Sequence, residues 1–449
     1  MNRTMAFLAD INALQEREIP GKTLERAKRS LLDYLAVTCA GAAFQREKLR
    51  RYMAFSQPEP GEFTAIGMGK KLALMEAVFL NGLNGHALDM DDGTNAGIIH
   101  LGSPIFSLLL PLAQRCGTSV DRLLRSAVIG YETSYTMAVS IQPGHKALGY
   151  HATGTCGALG ATLAAAYMLG FTPEERARAF AAACVSATGM LAALDDGSEL
   201  KPYNVAKTAL LALTALRLAK AGFEGPADPL GGKRGYLKMM TGKADVELLP
   251  LCQKGTYAIQ KSYTKPYASC RYTHPAVEAA IRLRNEHGLR PEDIESVDVR
   301  TYALAIPGHE HTRIPGPYSA KMSIPYSTAV GLLYGRAGLQ EFSEEIVQNA
   351  NVRALTEKVA VHEDDALSAA FPDVQAAIVS IRLRDGVQVS ARVDHPKGEP
   401  ENPLSDAEFR DRYDGLMAFA GVAPADSAAV FEAVSHRGDA TAEDILKHL

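Results

Sequence analysis

Residues 154–171 read GTCGALGATLAAAYMLGF, an apolar run with alanine or glycine on nearly every side of any helix it forms. Such a segment has no polar face to give to water. It has to be surrounded by other helices, and its small side chains let their backbones come close. The same texture recurs in KLALMEAVFLNGLNGHAL (71–88), TSVDRLLRSAVIGYETSYTMAVSI (118–141) and PEERARAFAAACVSATGML (173–191). Residues 21–42, GKTLERAKRSLLDYLAVTCAGA, place apolar residues at helical spacing. The first 260 or so residues therefore predict a large, closely packed helical domain.

The pattern changes near residue 264. IESVDVRTYA (294–303) alternates apolar and polar residues and reads as a strand. AAIVSIRLRDGVQVSARVDH (376–395) reads as a hairpin turning at Asp385-Gly386, a pair suited to positive φ. Helix-like PAVEAAIRLRNEHG and PYSTAVGLLYG lie between them. After Pro396 a polar linker, KGEPENPL, leads back into helix. The expected fold is mainly α: a helical domain of 1–263 plus 396–449, with a smaller α+β lid domain, 264–395, inserted. At 449 residues the chain is long enough for two or three domains.

Bulk properties exclude several classes. The net charge is −4, so no basic field points to nucleic acid. No apolar run reaches the roughly 20 residues that span a bilayer. The N-terminus lacks the apolar core of a secretory signal. Six scattered cysteines with no C-x-x-C fit a reduced, cytoplasmic protein.

The densest chemistry is GHALDMDDGTNAGIIH (85–100). A phosphotransferase D-x-D-x-T would need Thr94 one place earlier and a preceding strand. A calcium loop beginning at Asp89 needs Glu at its twelfth position, which here is His100. Asp91 and Asp92 read as residues that cap a helix or hold the loop. GYHATGTCGALGATLAAA lacks P-loop spacing and follows no strand, which leaves His151 at a helix start where N–H groups favour an anion. Lys201 falls in a polar turn between apolar helices. Lys265, Arg271 and His274 cluster before a helix opened by Pro275, a set suited to carboxylates.

Together RAKRSLLDYLAVTCAG, NGLNGHALDMDD followed by His100, GYHATGTCGALGATLAAA, SELKPYNVAKTALLALTALRLAKAGFEGP, KPYASCRYTHPAVEAA and SAKMSIPYSTAVGLLYG resemble the 2-methylcitrate dehydratase (MmgE/PrpD) family. They occur in the family order over most of the chain. That family also holds cis-aconitate decarboxylases and an iminodisuccinate epimerase. The resemblance implies a helical domain with an α+β lid, a homodimer, and no metal or other cofactor. It implies a small di- or tricarboxylate substrate and an active site between the domains. Asp89, His100, His151, Lys201 and Tyr326 map onto catalytic positions, and Thr94, Lys265, Arg271 and His274 onto substrate-binding ones. His100 and His151 are the expected acid/base pair, Asp89 tunes one of them, and Tyr326 donates a proton. Dehydration of a 2-methylcitrate-like acid is the first expectation. Decarboxylation, epimerisation and a degenerate carboxylate-binding protein are the alternatives. The chain has Leu101 where the family commonly has proline after the histidine, and Lys207 adds a charge after Ala206. Both departures point to a different substrate.

Overall fold

The computed structural model describes residues 2–243, 245–437 and 439–449. Two compact units divide the chain: Met1–Ala193, Leu200–Ser262 and Asp406–Leu449 form the first, Leu194–Glu199 and Tyr263–Ser405 the second.

The first unit is built around the helix Ala152–Met168, in which every residue except Tyr167 is buried. It packs against Gly102–Cys116, Val120–Ile141, Pro173–Ser186 and Lys201–Lys220. Small residues make this possible. A Cβ at Gly160 would lie 1.9 Å from Ser134 Oγ and 2.4 Å from the Gly130 carbonyl oxygen, so only glycine lets those two helices touch. Likewise a Cβ at Gly82 would lie 2.8 Å from Ala206 Cα. That close approach brings the helix Leu74–His86 against Lys201–Lys220, and with it two parts of the candidate site. After Asp406 the chain returns as helices Asp406–Ala420 and Pro424–Ser435, which pack on Gly21–Phe44.

Local signals explain the helix ends. Thr172 caps Pro173–Ser186 in a reciprocal box with Glu175, and Pro173 occupies the first turn, where its missing N–H costs nothing. Lys201 differs from expectation: it is the first residue of a helix, not part of a turn, because Pro202 suits the first helical turn. The helical reading of this region also passed over a short antiparallel pair, Pro60–Ala65 with Lys70–Leu72. Its connection uses positive φ at Gly67 and Gly69.

In the second unit four strands pair in the order Val359–Glu363, Ile294–Thr301, Ala377–Leu383, Gln388–Val393. The first two are parallel and the remaining pairs antiparallel. Helices His274–His287 and Ile324–Tyr334 supply Ala276, Ala280, Leu283 and Leu332 to the same core as Val297, Val299, Val379 and Ile381. The hairpin turns at Asp385-Gly386, with φ 88° at Gly386 alone of the two. Segment 396–405, read as a linker of the helical part, groups instead with this unit. Its Gly398 carbonyl accepts from Thr264 N at 2.8 Å. Among the described residues no helix is long and apolar enough to cross a membrane.

Candidate active site

The helix Leu74–His86 ends at a fully buried histidine. Asp89 then takes a left-handed backbone, φ 54°, which an aspartate tolerates better than most residues. The turn sends the next carboxylates in different directions. Asp92 goes to structure: it accepts Gly102 N at 2.8 Å, opening the helix Gly102–Cys116, and Tyr131 Oη at 2.6 Å. Burial pushes its carboxyl up to about 6. The folded group binds its proton more tightly than an unfolded aspartate near about 3.9, so its contribution to stability is complete below that value and lost as pH rises through the folded one. Urea unfolding should therefore show the parent's advantage over Asp92→Asn to be larger at about pH 5 than at about pH 7. An advantage that is equal, or larger at the higher pH, contradicts this.

Asp91 does more than hold the loop. Its Oδ1 lies 2.8 Å from His86 Nδ1, and its Oδ2 accepts Ser103 Oγ at 2.7 Å and lies 3.3 Å from His100 Nδ1. Burial works to raise this carboxyl, but the His100 and His86 rings outweigh it and hold it well below the usual carboxylate range. The His86 and His100 rings meet edge to face, centroids 4.5 Å apart.

Hydrogen-bond partners assign the ring protons. His100 Nδ1 lies 3.0 Å from the Asp92 carbonyl oxygen and 3.3 Å from Asp91 Oδ2, both acceptors and both closer than the 3.5 Å contact at Nε2, so a ring with one N–H carries it on Nδ1. In the neutral ring Nε2 then holds the lone pair. It faces Asp89 Oδ1 at 3.5 Å, and the Lys201 ammonium sits 2.7 Å from that same oxygen. His151 has the opposite arrangement. Asn204 Nδ2 donates to the Met190 carbonyl at 3.3 Å, which fixes the amide orientation, and its other hydrogen points to His151 Nδ1 at 3.2 Å. His151 therefore accepts at Nδ1 and carries its proton on Nε2. Burial and then the Lys201 charge hold this ring well below the ordinary histidine value, so it stays neutral. Burial likewise pushes His86 down to about 4. Among the described residues, buried His86 Nε2 and Thr94 Oγ1 have no hydrogen-bond partner, as groups awaiting a ligand or water are.

His86, Asp89, Asp91 and His100 also offer four potential metal-ligand atoms within 4.8 Å of one another. The Lys201 ammonium already pairs with Asp89 Oδ1 at 2.7 Å, so a divalent ion among the four would lie against a fixed positive charge.

The remaining expected residues lie in the second unit. Lys265 and His274 are buried, and His274 Nε2 donates to the Ser269 carbonyl at 3.2 Å. Arg271 pairs through Nε with Glu399, while its buried Nη1 has no partner among the described residues. Tyr326, expected as a proton donor, spends its hydroxyl hydrogen on the Glu341 carbonyl at 2.6 Å. Three groups of the first-unit cluster escaped the sequence reading: His86, the bridging role of Asp91, and Asn204. Only Asn204 left a usable signal, since it lies three residues after Lys201 and shares its helix face.

The family model described as the MmgE/PrpD N-terminal domain matches residues 8–249, and that of the C-terminal domain matches 267–437. A cis-aconitate decarboxylase from Aspergillus terreus is 27% identical over 425 residues, covering 88% of this chain and 85% of the relative. A protein of the same name from Mus musculus is 24% identical, covering 91% and 86%. A 2-methylcitrate dehydratase from Salmonella typhimurium is 28% identical over 153 residues, covering 32% and 30%.

Proposed function

Because the chain belongs to the MmgE/PrpD family, we propose that it is a lyase acting at the carbon next to a carboxylate of a small di- or tricarboxylate. One observation carries the reading: His100 has Nδ1 engaged and Nε2 turned toward the Lys201–Asp89 pair.

Carbon next to a carboxylate is a weak acid, so charge developing on the carboxylate oxygens needs fixed donors. Lys201 supplies a cation there. His151 supplies a neutral Nε2–H; a neutral imidazole is a poor proton source but a good hydrogen-bond donor to a developing oxyanion. Proton movement falls to His100, whose Nε2 takes or returns the proton at carbon while Asp91 stabilises the imidazolium from the Nδ1 side. This divides the work differently from a symmetrical His100/His151 acid/base pair. Thr94, Lys265, Arg271 and His274 are proposed to bind the substrate carboxylates. Tyr326 is assigned a structural part, since its proton is already committed.

Two reactions use this arrangement. In decarboxylation of an unsaturated acid, protonated His100 delivers its proton to carbon, the double bond shifts and CO₂ leaves. In dehydration, His100 removes the proton and hydroxide leaves as water with a proton from the Lys201 side. Sequence alone put dehydration first. The breadth of similarity to proteins named cis-aconitate decarboxylase puts decarboxylation first, and the shorter match to 2-methylcitrate dehydratase keeps dehydration second.

The test is incubation of the purified protein, with and without a chelator, with cis-aconitate, citrate and 2-methylcitrate in D₂O. The expected result is chelator-insensitive CO₂ release from cis-aconitate. Conjugated-alkene absorbance from a hydroxy acid would support dehydration instead, and deuterium exchange alone would support epimerisation. Binding without turnover or exchange for any acid would sink the proposal.

A further inference from the structure

The loop that carries Asp89 and Asp91 is held from behind by a residue more than three hundred positions later. Arg412, on the helix Asp406–Ala420, donates from Nη2 to the Met90 carbonyl at 2.9 Å, and the same nitrogen lies 2.9 Å from Asp33 Oδ1 on the helix Gly21–Phe44. Both side chains are buried. An Nη2 nitrogen has two hydrogens, so this one spends one on the loop and one on the helix. Met90 is the residue between the left-handed Asp89 and the bridging Asp91. Its carbonyl orientation sets which way each carboxylate departs. A backbone held away from its common conformations persists only when its surroundings fix it, and Arg412 is a fixing contact at that point.

We propose that Arg412 is a positioning residue of the active site, holding Met90 so that Asp89 and Asp91 flank the His100 ring. The segment after the second unit thereby contributes to the chemistry as well as to the core. Lysine offers a single charged nitrogen in place of a planar fork, so Arg412→Lys restores this geometry only in part.

The inference rests on the proposed role of His100 but is tested without a substrate. Arg412→Met alone leaves Asp33 buried and unpaired and endangers folding. The informative variant is therefore Arg412→Met with Asp33→Asn, which removes both charges. In ¹⁵N-histidine-labelled protein, the His100 ring resonances, assigned by their loss in His100→Gln, should shift in the double variant and shift less in Arg412→Lys. Those of His145, held by Met240 and Thr155, should stay in place. With an acid that the parent turns over, kcat should fall by about 10²-fold, as a small misplacement of reacting groups produces, with KM little changed. Unmoved His100 resonances in a folded double variant overturn the inference, whatever the substrate. Absence of turnover by the parent bears only on the proposed reaction.

Discussion

His100→Gln should lower turnover by about 10²–10⁴-fold, the usual worth of a positioned proton carrier, while the melting temperature stays close to the parent's. Glutamine keeps an N–H that can face the Asp92 carbonyl and Asp91, so the loop retains its ties. It cannot take a proton. His151→Gln should cost less, because an amide N–H still donates where the neutral imidazole did; loss of one such donor is worth at most about 10²–10³-fold. Steady-state kinetics on the two variants check this. A larger loss for His151→Gln would mean that the division of labour between the rings is reversed.

The second large effect is on stability. Lys201 and Asp89 are both buried, with Nζ 2.7 Å from Oδ1. Lys201→Met leaves that carboxylate in a poorly solvated place without its ammonium. Breaking a buried pair from one side costs about 3–5 kcal/mol, much more than an exposed pair is worth. Urea unfolding should register a loss of that order, and turnover should fall with it because the cation at the developing charge is gone. Adding Asp89→Asn should recover most of the stability and none of the activity. Unchanged stability in Lys201→Met would mean that Asp89 does not depend on it.

How far the sequence could be read follows from these same residues. Long helices such as Gly21–Phe44 and Val120–Ile141 were legible because apolar periodicity is local information. So was the hairpin at Asp385-Gly386. The strand Val359–Glu363 was not, since its parallel partner Ile294–Thr301 lies far back in the chain and its residues are mostly exposed or half-buried. Within the site, motif order led to Asp89, His100, His151 and Lys201, and the structure brings these four to one place in the first unit, His151 through its ring beside His86. The direction of each side chain was out of reach. Asp91 was read as a loop support beside Asp92. The left-handed backbone at Asp89 instead separates them, turning Asp91 to the two rings and Asp92 to Gly102 and Tyr131. His86 is invisible for a related reason. A histidine at a helix end is unremarkable until the fold sets Asp91 and His100 against it.

The central claim is the opposite placement of protons on the two rings. Long-range ¹H–¹⁵N correlation spectra of ¹⁵N-histidine-labelled protein, recorded in alkaline buffer, read it directly. The predicted result is His100 protonated on Nδ1 with a lone pair on Nε2, and His151 protonated on Nε2 with a lone pair on Nδ1. His100 carrying its proton on Nε2 would leave no base facing Lys201 and Asp89, and would contradict the account.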